Sequence, residues 1–309
     1  MIYKNIYREG GFGLFQPIFV YTNELVNTLV DLSVLREKVF NSLSAELESY
    51  LRREVLLDNI YASTYLDGNS LSREDIRRLI DEGEFVARDE EEKEVLNYLY
   101  ILENLDEYHR NGAVSRFDLL KLYSDLLGYK DWSVSYRDTE LFIRDDYTGE
   151  ILLVPPLSIR VHFLIDEFLE WLNFESNIFH PVIVAGVAHY EIMRIQPFNE
   201  ENGKIARLLS MLILYTRGFD SKQVFSIDDY YAMDSRRYYG YLRYIDRESM
   251  EVTGLGDYAE GYLAYSSFTV DLSNILGDIT DWLNYYLNGV LYSVVKTRDR
   301  IKSFSIREY

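Results

Sequence analysis

The chain has 309 residues, 48% of them hydrophobic, which is enough for one large core or two modest ones. Its 51 acidic and 32 basic residues leave a net charge of -19, which argues against non-specific binding to nucleic acid or to an anionic membrane surface. There is no Cys, which excludes disulfides and thiolate sites, and the start Met1–Glu9 interleaves charged with apolar residues instead of forming a signal-like run, so a cytoplasmic protein is expected.

Residues 23–57 carry Leu, Val and Phe at three- and four-residue spacing with charges between them, which predicts an N-terminal helical lobe. Ser72-Arg73-Glu74-Asp75 has the form of a capping box opening a short helix to Ile80. The acidic run Arg88–Glu94 reads as a helix start at a loose domain boundary, after which Val95, Leu96, Tyr98, Leu99 and Leu102 restore an apolar face. Between Trp132 and Pro156 the chain alternates in strand fashion around Asp145-Asp146-Tyr147-Thr148-Gly149, a hairpin signal. Further helices are predicted at 115–127, 158–173, 178–194, 202–217, 227–246 and 278–302, with no internal repeat. The fold expected is mainly α, a helical bundle with one β-hairpin.

The chemistry concentrates in Gln196-Pro197-Phe198-Asn199-Glu200-Glu201-Asn202-Gly203, a Pro-containing turn that opens onto a helix with Ile205, Leu208, Leu209 and Leu212 along one face. A helix start leaves N–H groups free and attracts phosphate. Lys204 and Arg207 fall on one side of the first turn, where the helix dipole disfavours a cation; Arg207 in particular points to a bound anion. Glu200 serves either as a first-turn acid or as the ligand of a magnesium ion accompanying a polyphosphate. Phe198 and the Ile205 stripe are core residues in their own right. No His-x-x-x-His spacing occurs, so a zinc site is not expected; His189 is read as structural and His180, before Pro181, as a helix start.

Residues 196–207, Q-P-F-N-E-E-N-G-K-I-A-R, resemble the core motif of the Fic family of protein adenylyltransferases, H-P-F-x-[DE]-G-N-G-[RK]-x-x-R. Gln196 stands where the family has its catalytic His and Glu201 where it has the first Gly. In the family the His takes a proton from a target hydroxyl as it attacks the nucleotide's α-phosphate, a role that an amide cannot fill. Glu201 puts a carboxylate beside the N–H groups meant for phosphate, at a backbone position that Gly fits more readily. Tyr61–Asn69 resembles the family's inhibitory helix, [ST]-x-x-x-E-[GN], with Ser63 and with Asp67 in place of Glu. The resemblance implies that Asp67 pairs with Arg207. It also makes the hairpin a flap that aligns a target segment by strand pairing, its G-x-[YF]-R start appearing as Val134-Ser135-Tyr136-Arg137. Ser235–Leu242 resembles the R-x-x-Y-Y-x-x-L helix beside the nucleotide base, with Tyr238 and Tyr239, and Asp278–Leu283 resembles the D-x-T-x-W-L helix.

The resemblance implies three parts: an N-terminal lobe over 1–88 with the inhibitory helix at about 54–68, a Fic domain over 89–250, and a C-terminal helical extension over 251–309. It implies ATP or a related nucleotide with Mg2+, the metal on Glu200 and the nucleotide on Phe198, Asn202, Gly203, Lys204, Arg207, Tyr238 and Tyr239. Gln196 and Arg207 hold the catalytic positions; Ser63, Asp67 and Glu201 are inhibitory. The expected partner is a target protein docked on the 134–156 flap, with a homo-oligomer open. The reading is a degenerate member that binds a nucleotide with weak or no AMP transfer and acts by binding or regulation. The alternatives are an active nucleotidyl or phosphoryl transferase of altered chemistry, and an interaction module whose nucleotide site is filled by Glu201.

Overall fold

The computed structural model describes residues 15–82, 86–129, 134–144, 149, 151–245 and 278–307. The start Met1–Glu9, Trp132, the hairpin turn Asp145–Thr148 and the first part of the extension, 251–277, lie outside the described residues.

The stretch 23–57 expected to form a helical lobe falls in two helices, α1 (Asn23–Asn41) and α2 (Ala45–Leu66). Ser44 makes the break by leaving helical geometry, and its hydroxyl accepts from Leu47 N at 3.2 Å as the new N-cap. The apolar spacing runs through the break because Leu25, Leu32, Val39, Leu47 and Leu51 all enter one core. α2 ends on Gly68, at φ 98, with Asn69 N donating to Thr64 O and Gly68 N to Tyr65 O, both at 3.1 Å. This paired closure makes Asp67 the last helical cap and fixes the direction of its side chain.

α3 (Arg73–Glu82) opens on the reciprocal Ser72 and Asp75 bonds that the sequence predicts, and α4 (Glu90–Glu103) on Asp89, with Glu90, Glu91 and Glu92 in the dipole-favoured first turn. α5 (Arg116–Leu126) carries a full capping box from Ser115 and Asp118. β1 (Ile143–Arg144) and β2 (Ile151–Val154) form the antiparallel hairpin. A third short strand, β3 (Tyr244–Ile245), pairs parallel with β2, which the sequence did not signal.

The helix expected at 158–173 is α6 (Val161–Glu170) between a 3-10 turn at Ser158–Arg160 and a π turn at Trp171–Glu175. α7 (Pro181–Ile195) starts as the His180-Pro181 pair predicts, His180 Nδ1 accepting from Val182 N and Pro181 standing where no N–H is needed. α8 (Asn202–Thr216) packs along α7, both almost wholly buried. The segment expected as one helix at 227–246 divides into α9 (Asp228–Met233) and α10 (Ser235–Tyr241), because Asp234 is non-helical and caps the second through Arg237 N.

α11 (Thr280–Arg307) lies against α7, where Trp282 Nε1 donates to Gly186 O at 2.8 Å. A Cβ on Gly186 would stand 2.9 Å from Leu283 and Tyr286, so only glycine allows this approach. Asp58 of α2, nearly buried, takes Arg73 of α3 at 2.7 Å and both Lys296 at 2.8 Å and Arg300 at 2.7 Å of α11. Ion pairs thus tie the middle of α2 to the body of the molecule. Among the described residues no helix is long and apolar enough to cross a membrane. The architecture is mainly α with one hairpin, as the sequence indicates.

Candidate functional site

The 196–201 loop joins two buried helices and is braced from several sides. Gln196 ends α7 in left-handed geometry, φ 48, with its N–H on Ile192 O at 2.9 Å. Arg137 of the flap root, its side chain fully buried, caps that helix end: Nε donates to Gln196 O at 2.7 Å and Nη2 to Ile195 O at 3.2 Å. The same guanidinium reaches Thr139 O and Pro156 O, and Arg137 N donates to Pro197 O at 2.9 Å. One cation therefore joins loop, helix end and both arms of the hairpin, beyond anything the V-S-Y-R pattern signals. Burial holds its pKa below the usual arginine value, against the weaker pull of Glu140.

Inside the loop, Phe198 stacks on Tyr123 with ring centroids 3.9 Å apart. Asn202 spends both ends of its amide on Phe198, Oδ1 accepting from the N–H at 2.9 Å and Nδ2 donating to the carbonyl at 2.8 Å. Phe198 and Asn202 shape the loop through these contacts. Gln196 is buried, its Nε2 donating to Met193 O at 2.8 Å.

Glu201 precedes α8 in left-handed geometry, φ 65, and makes no side-chain cap. Its carboxylate turns to Lys204 Nζ, 2.5 Å away. Lys204 also meets Glu94 at 2.6 Å and Asp67 at 3.2 Å, so a buried ammonium sits among three carboxylates. Burial opposes the charge on Lys204, yet Asp67, Glu201 and Glu94 outweigh it and hold its pKa above the ordinary lysine value. Burial pushes the Glu201 carboxyl up despite Lys204, with Asp67 and Glu94 adding to the rise. Glu94, part of an acidic run that reads as a solvated helix start, was not legible as a site residue.

Arg207 is 1% exposed. Its Nε donates to Ser63 Oγ at 2.6 Å, and Nη2 to Ser63 O at 3.0 Å and Asp67 Oδ2 at 2.7 Å. The residues 140 positions apart that the inhibitory pattern relates are thus in contact. Burial disfavours the guanidinium charge; Asp67 overrides it and keeps the pKa well above the arginine norm. The Asp67 carboxyl, although burial raises it, is held below its usual value by Arg207 and Lys204.

Asp67, Gly68, Glu94, Glu201, Gly203, Lys204 and Tyr239 line an open pocket of about 620 Å³. Tyr239 donates to Leu66 O at 3.3 Å at its edge. Tyr238 does not line this pocket; it is buried in the core beside Arg207, with its hydroxyl 2.8 Å from His189 Nε2. His189 is itself fully buried among aromatic rings, and burial together with Arg207 depresses its pKa well below the histidine norm, which suits the structural reading.

Two observations bear on whether an anion fits. Arg207 Nη1 is buried with no partner among the described residues. It also stands 3.1 Å from where a Cβ on Gly203 would be, so glycine leaves room beside that guanidinium edge. Both suit a phosphate oxygen, whereas Asp67, Glu201 and Glu94 oppose one by charge. For a metal, no group of three or more His, Asp or Glu is placed to ligate one among the described residues. Glu200 is exposed on the loop, and a lone carboxylate suffices only for an ion such as Mg2+ that keeps waters and takes oxygens from a polyphosphate.

The Fic/DOC family model matches residues 113–214. The chain is 27% identical over 177 residues to the protein adenylyltransferase Fic of Culex quinquefasciatus, an overlap covering 54% of this chain and 33% of that protein. It is 26% identical over 223 residues to the Nematostella vectensis protein of the same name, covering 67% and 49% respectively. The chain therefore spans only about a third to a half of these relatives. In fold it is similar to a Fic family protein from Desulfovibrio desulfuricans G20, with TM-score 0.69, 22% identity, and 93% of this chain and 77% of that one covered. Residues 134–508 of Fic-1 from C. elegans superpose with TM-score 0.65 at 21% identity, covering 90% and 73%. With the motif, the hairpin and the loop-to-helix site on one scaffold, the chain carries a Fic/DOC domain over residues 113–214 and is similar in fold to Fic proteins.

Proposed function

We propose that this chain is a nucleotide-binding Fic protein held closed by its own carboxylates, with weak or no transfer of AMP from ATP to a protein hydroxyl. The observation that carries the reading is the commitment of both cations near the start of α8: Arg207 to Asp67, and Lys204 to Asp67, Glu94 and Glu201. A triphosphate entering the pocket has to displace Asp67 and tolerate Glu201. At 4 Å one carboxylate opposes a phosphate charge by about 4 kcal/mol at an effective dielectric of 20, roughly a thousandfold in affinity.

Ser63 and Asp67 are the inhibitory elements in this reading, within an N-terminal lobe ending near residue 88. The Fic domain spans 89–250 and the extension 251–309. Gly203, Arg207 and the α8 N-terminus would receive the phosphates, Tyr239 the base side, and Glu200 the magnesium ion. When bound, ATP with Mg2+ supplies the α-phosphate for transfer and a charge that steadies it. Gln196 offers no basic nitrogen at the family's proton-accepting position, and its amide is already donating to Met193 O. The flap, stitched to the loop by Arg137, is the surface on which a target protein docks by strand pairing.

Transfer of label from ATP, to the chain itself or to added protein, tests the reading. The native chain, Gln196→His and Glu201→Gly are each expected to label negligibly, and the double variant measurably, most of all with Asp67→Ala. Robust labelling by the native chain would establish an active transferase of altered chemistry instead.

A further inference from the structure

Arg207 also touches a second, enclosed cavity, whose lining includes His189, Ser210, Asp228 and Tyr231. Its free volume of about 10 Å³ matches a single water. Three lining residues carry buried polar atoms with no partner among the described residues: His189 Nδ1, Asp228 Oδ2 and Tyr231 Oη. The Ser210 hydroxyl is already engaged with Tyr286, at 2.6 Å. His189 is neutral, so Nδ1 can accept while Nε2 serves the Tyr238 hydroxyl. One water would then accept from Tyr231 and donate to His189 and Asp228, the usual three bonds of a buried water.

The charges around Arg207 give this cluster a purpose. Asp67 sits at the pocket rim, its side chain 23% exposed, whereas Asp228 is 3% exposed. While Asp67 is swung out and before a phosphate has taken its place, Arg207 keeps only neutral neighbours at hydrogen-bonding range, Ser63 and the Tyr238 and Tyr239 hydroxyls, and a buried cation without a counter-charge is strongly disfavoured. We infer that Asp228, fixed by a buried water to His189 and Tyr231, is the second counter-charge of Arg207, a positioning residue that holds the guanidinium in place when Asp67 leaves. The inference rests on the reading of Asp67 as the closing residue.

Arg207 of α8, Asp67 and Ser63 of α2, Tyr98 of α4, the adjacent Asp229, and Tyr286 of α11 also act on Asp228. Burial pushes its carboxyl up to about 7; Arg207 pulls down, while Asp229 and Asp67 push further up. Withdrawing Asp67 removes one of those opposing charges, so Asp228 ionises as it takes over the cation.

Carbon-13 NMR titration of the Asp228 carboxyl reads this in the intact chain. It is expected near 7 in the native protein and lower by about one unit in Asp67→Ala. Hydrogen exchange of the Arg207 Nε–H supplies the second readout. Protection should persist in Asp67→Ala and in Asp228→Asn singly, and exchange should quicken roughly tenfold or more in the double variant. Retained protection in Asp228→Asn separates positioning from a general loss of packing. An Asp228 carboxyl that is indifferent to Asp67, or a double variant as protected as Asp67→Ala, would overturn the inference. Neither readout uses a nucleotide, so failure of ATP binding would sink the proposed function and leave this result standing.

Discussion

In the proposed function Asp67 and Glu201 oppose ligand binding alike, but they bear on stability differently. Among the described residues Asp67 is the only carboxylate bonded to Arg207, and hydrogen bonds to charged groups carry about 1.5–3 kcal/mol. Asp67→Ala should therefore lower the melting temperature while raising affinity for ATP, an opposition that thermal denaturation and calorimetry on one sample would show. Glu201 holds a left-handed φ of 65, a strain of about 1 kcal/mol or more for a residue with a Cβ. Lys204 keeps Asp67 and Glu94 when Glu201 is gone. Glu201→Gly is accordingly expected to leave stability unchanged or to raise it, and a clear fall in melting temperature would count against strain at this position.

The flap root and the α7 terminus form one structural unit through Arg137. Arg137→Met would strip the carbonyls of Ile195, Gln196 and Pro156 of a donor while nearly keeping the volume. Several unsatisfied carbonyls at a buried helix end imply a loss on the order of 3 kcal/mol, measurable by denaturant unfolding. The elements that the sequence discloses are those with local causes. Ser72 and Asp75, the His180-Pro181 pair and the Ile205 stripe place α3, α7 and α8 because caps and periodicity act over a few residues. The break at Ser44, the interruption at Asp234 and the β2 to β3 pairing are less legible, since apolar spacing continues across the first two and strand pairing is non-local. In the site, Arg207 and Asp67 were readable through motif resemblance. Glu94, Asp228 and the reach of Arg137 were not, because their partners are set by tertiary packing.

Across the whole molecule, buried ionisable groups fix the pH profile. Asp220 and Asp228 are both pushed up to about 7 by burial, against backbone N–H bonds in the first and Arg207 in the second, so the folded chain holds their protons where the unfolded chain releases them. Their stabilisation is present at low pH and is lost as pH rises from about 4 to 7. Burial depresses His189 and His180, whose contribution runs the other way and is lost as pH falls through about 6.5. The two pairs oppose each other below about pH 6.5, and above it the carboxyls act alone, giving a decline through about pH 7. Asp58 and Asp67, lowered by their cations despite burial, are protected above about 4 and fail below it. In the double variant Asp220→Asn, Asp228→Asn the histidines are uncompensated, so unfolding free energy should rise with pH up to about 6.5 and then level. A decline through about pH 7 in that variant equal to the native one would contradict the assignment.

The most direct test of a Fic site closed by its own carboxylates is calorimetry with ATP and magnesium on the native chain and on Asp67→Ala with Glu201→Gly. The expected result is weak or undetectable binding by the native chain and a gain of at least roughly a hundredfold when the two carboxylates are removed. Equal affinity of the two proteins, whether tight or absent, would contradict it.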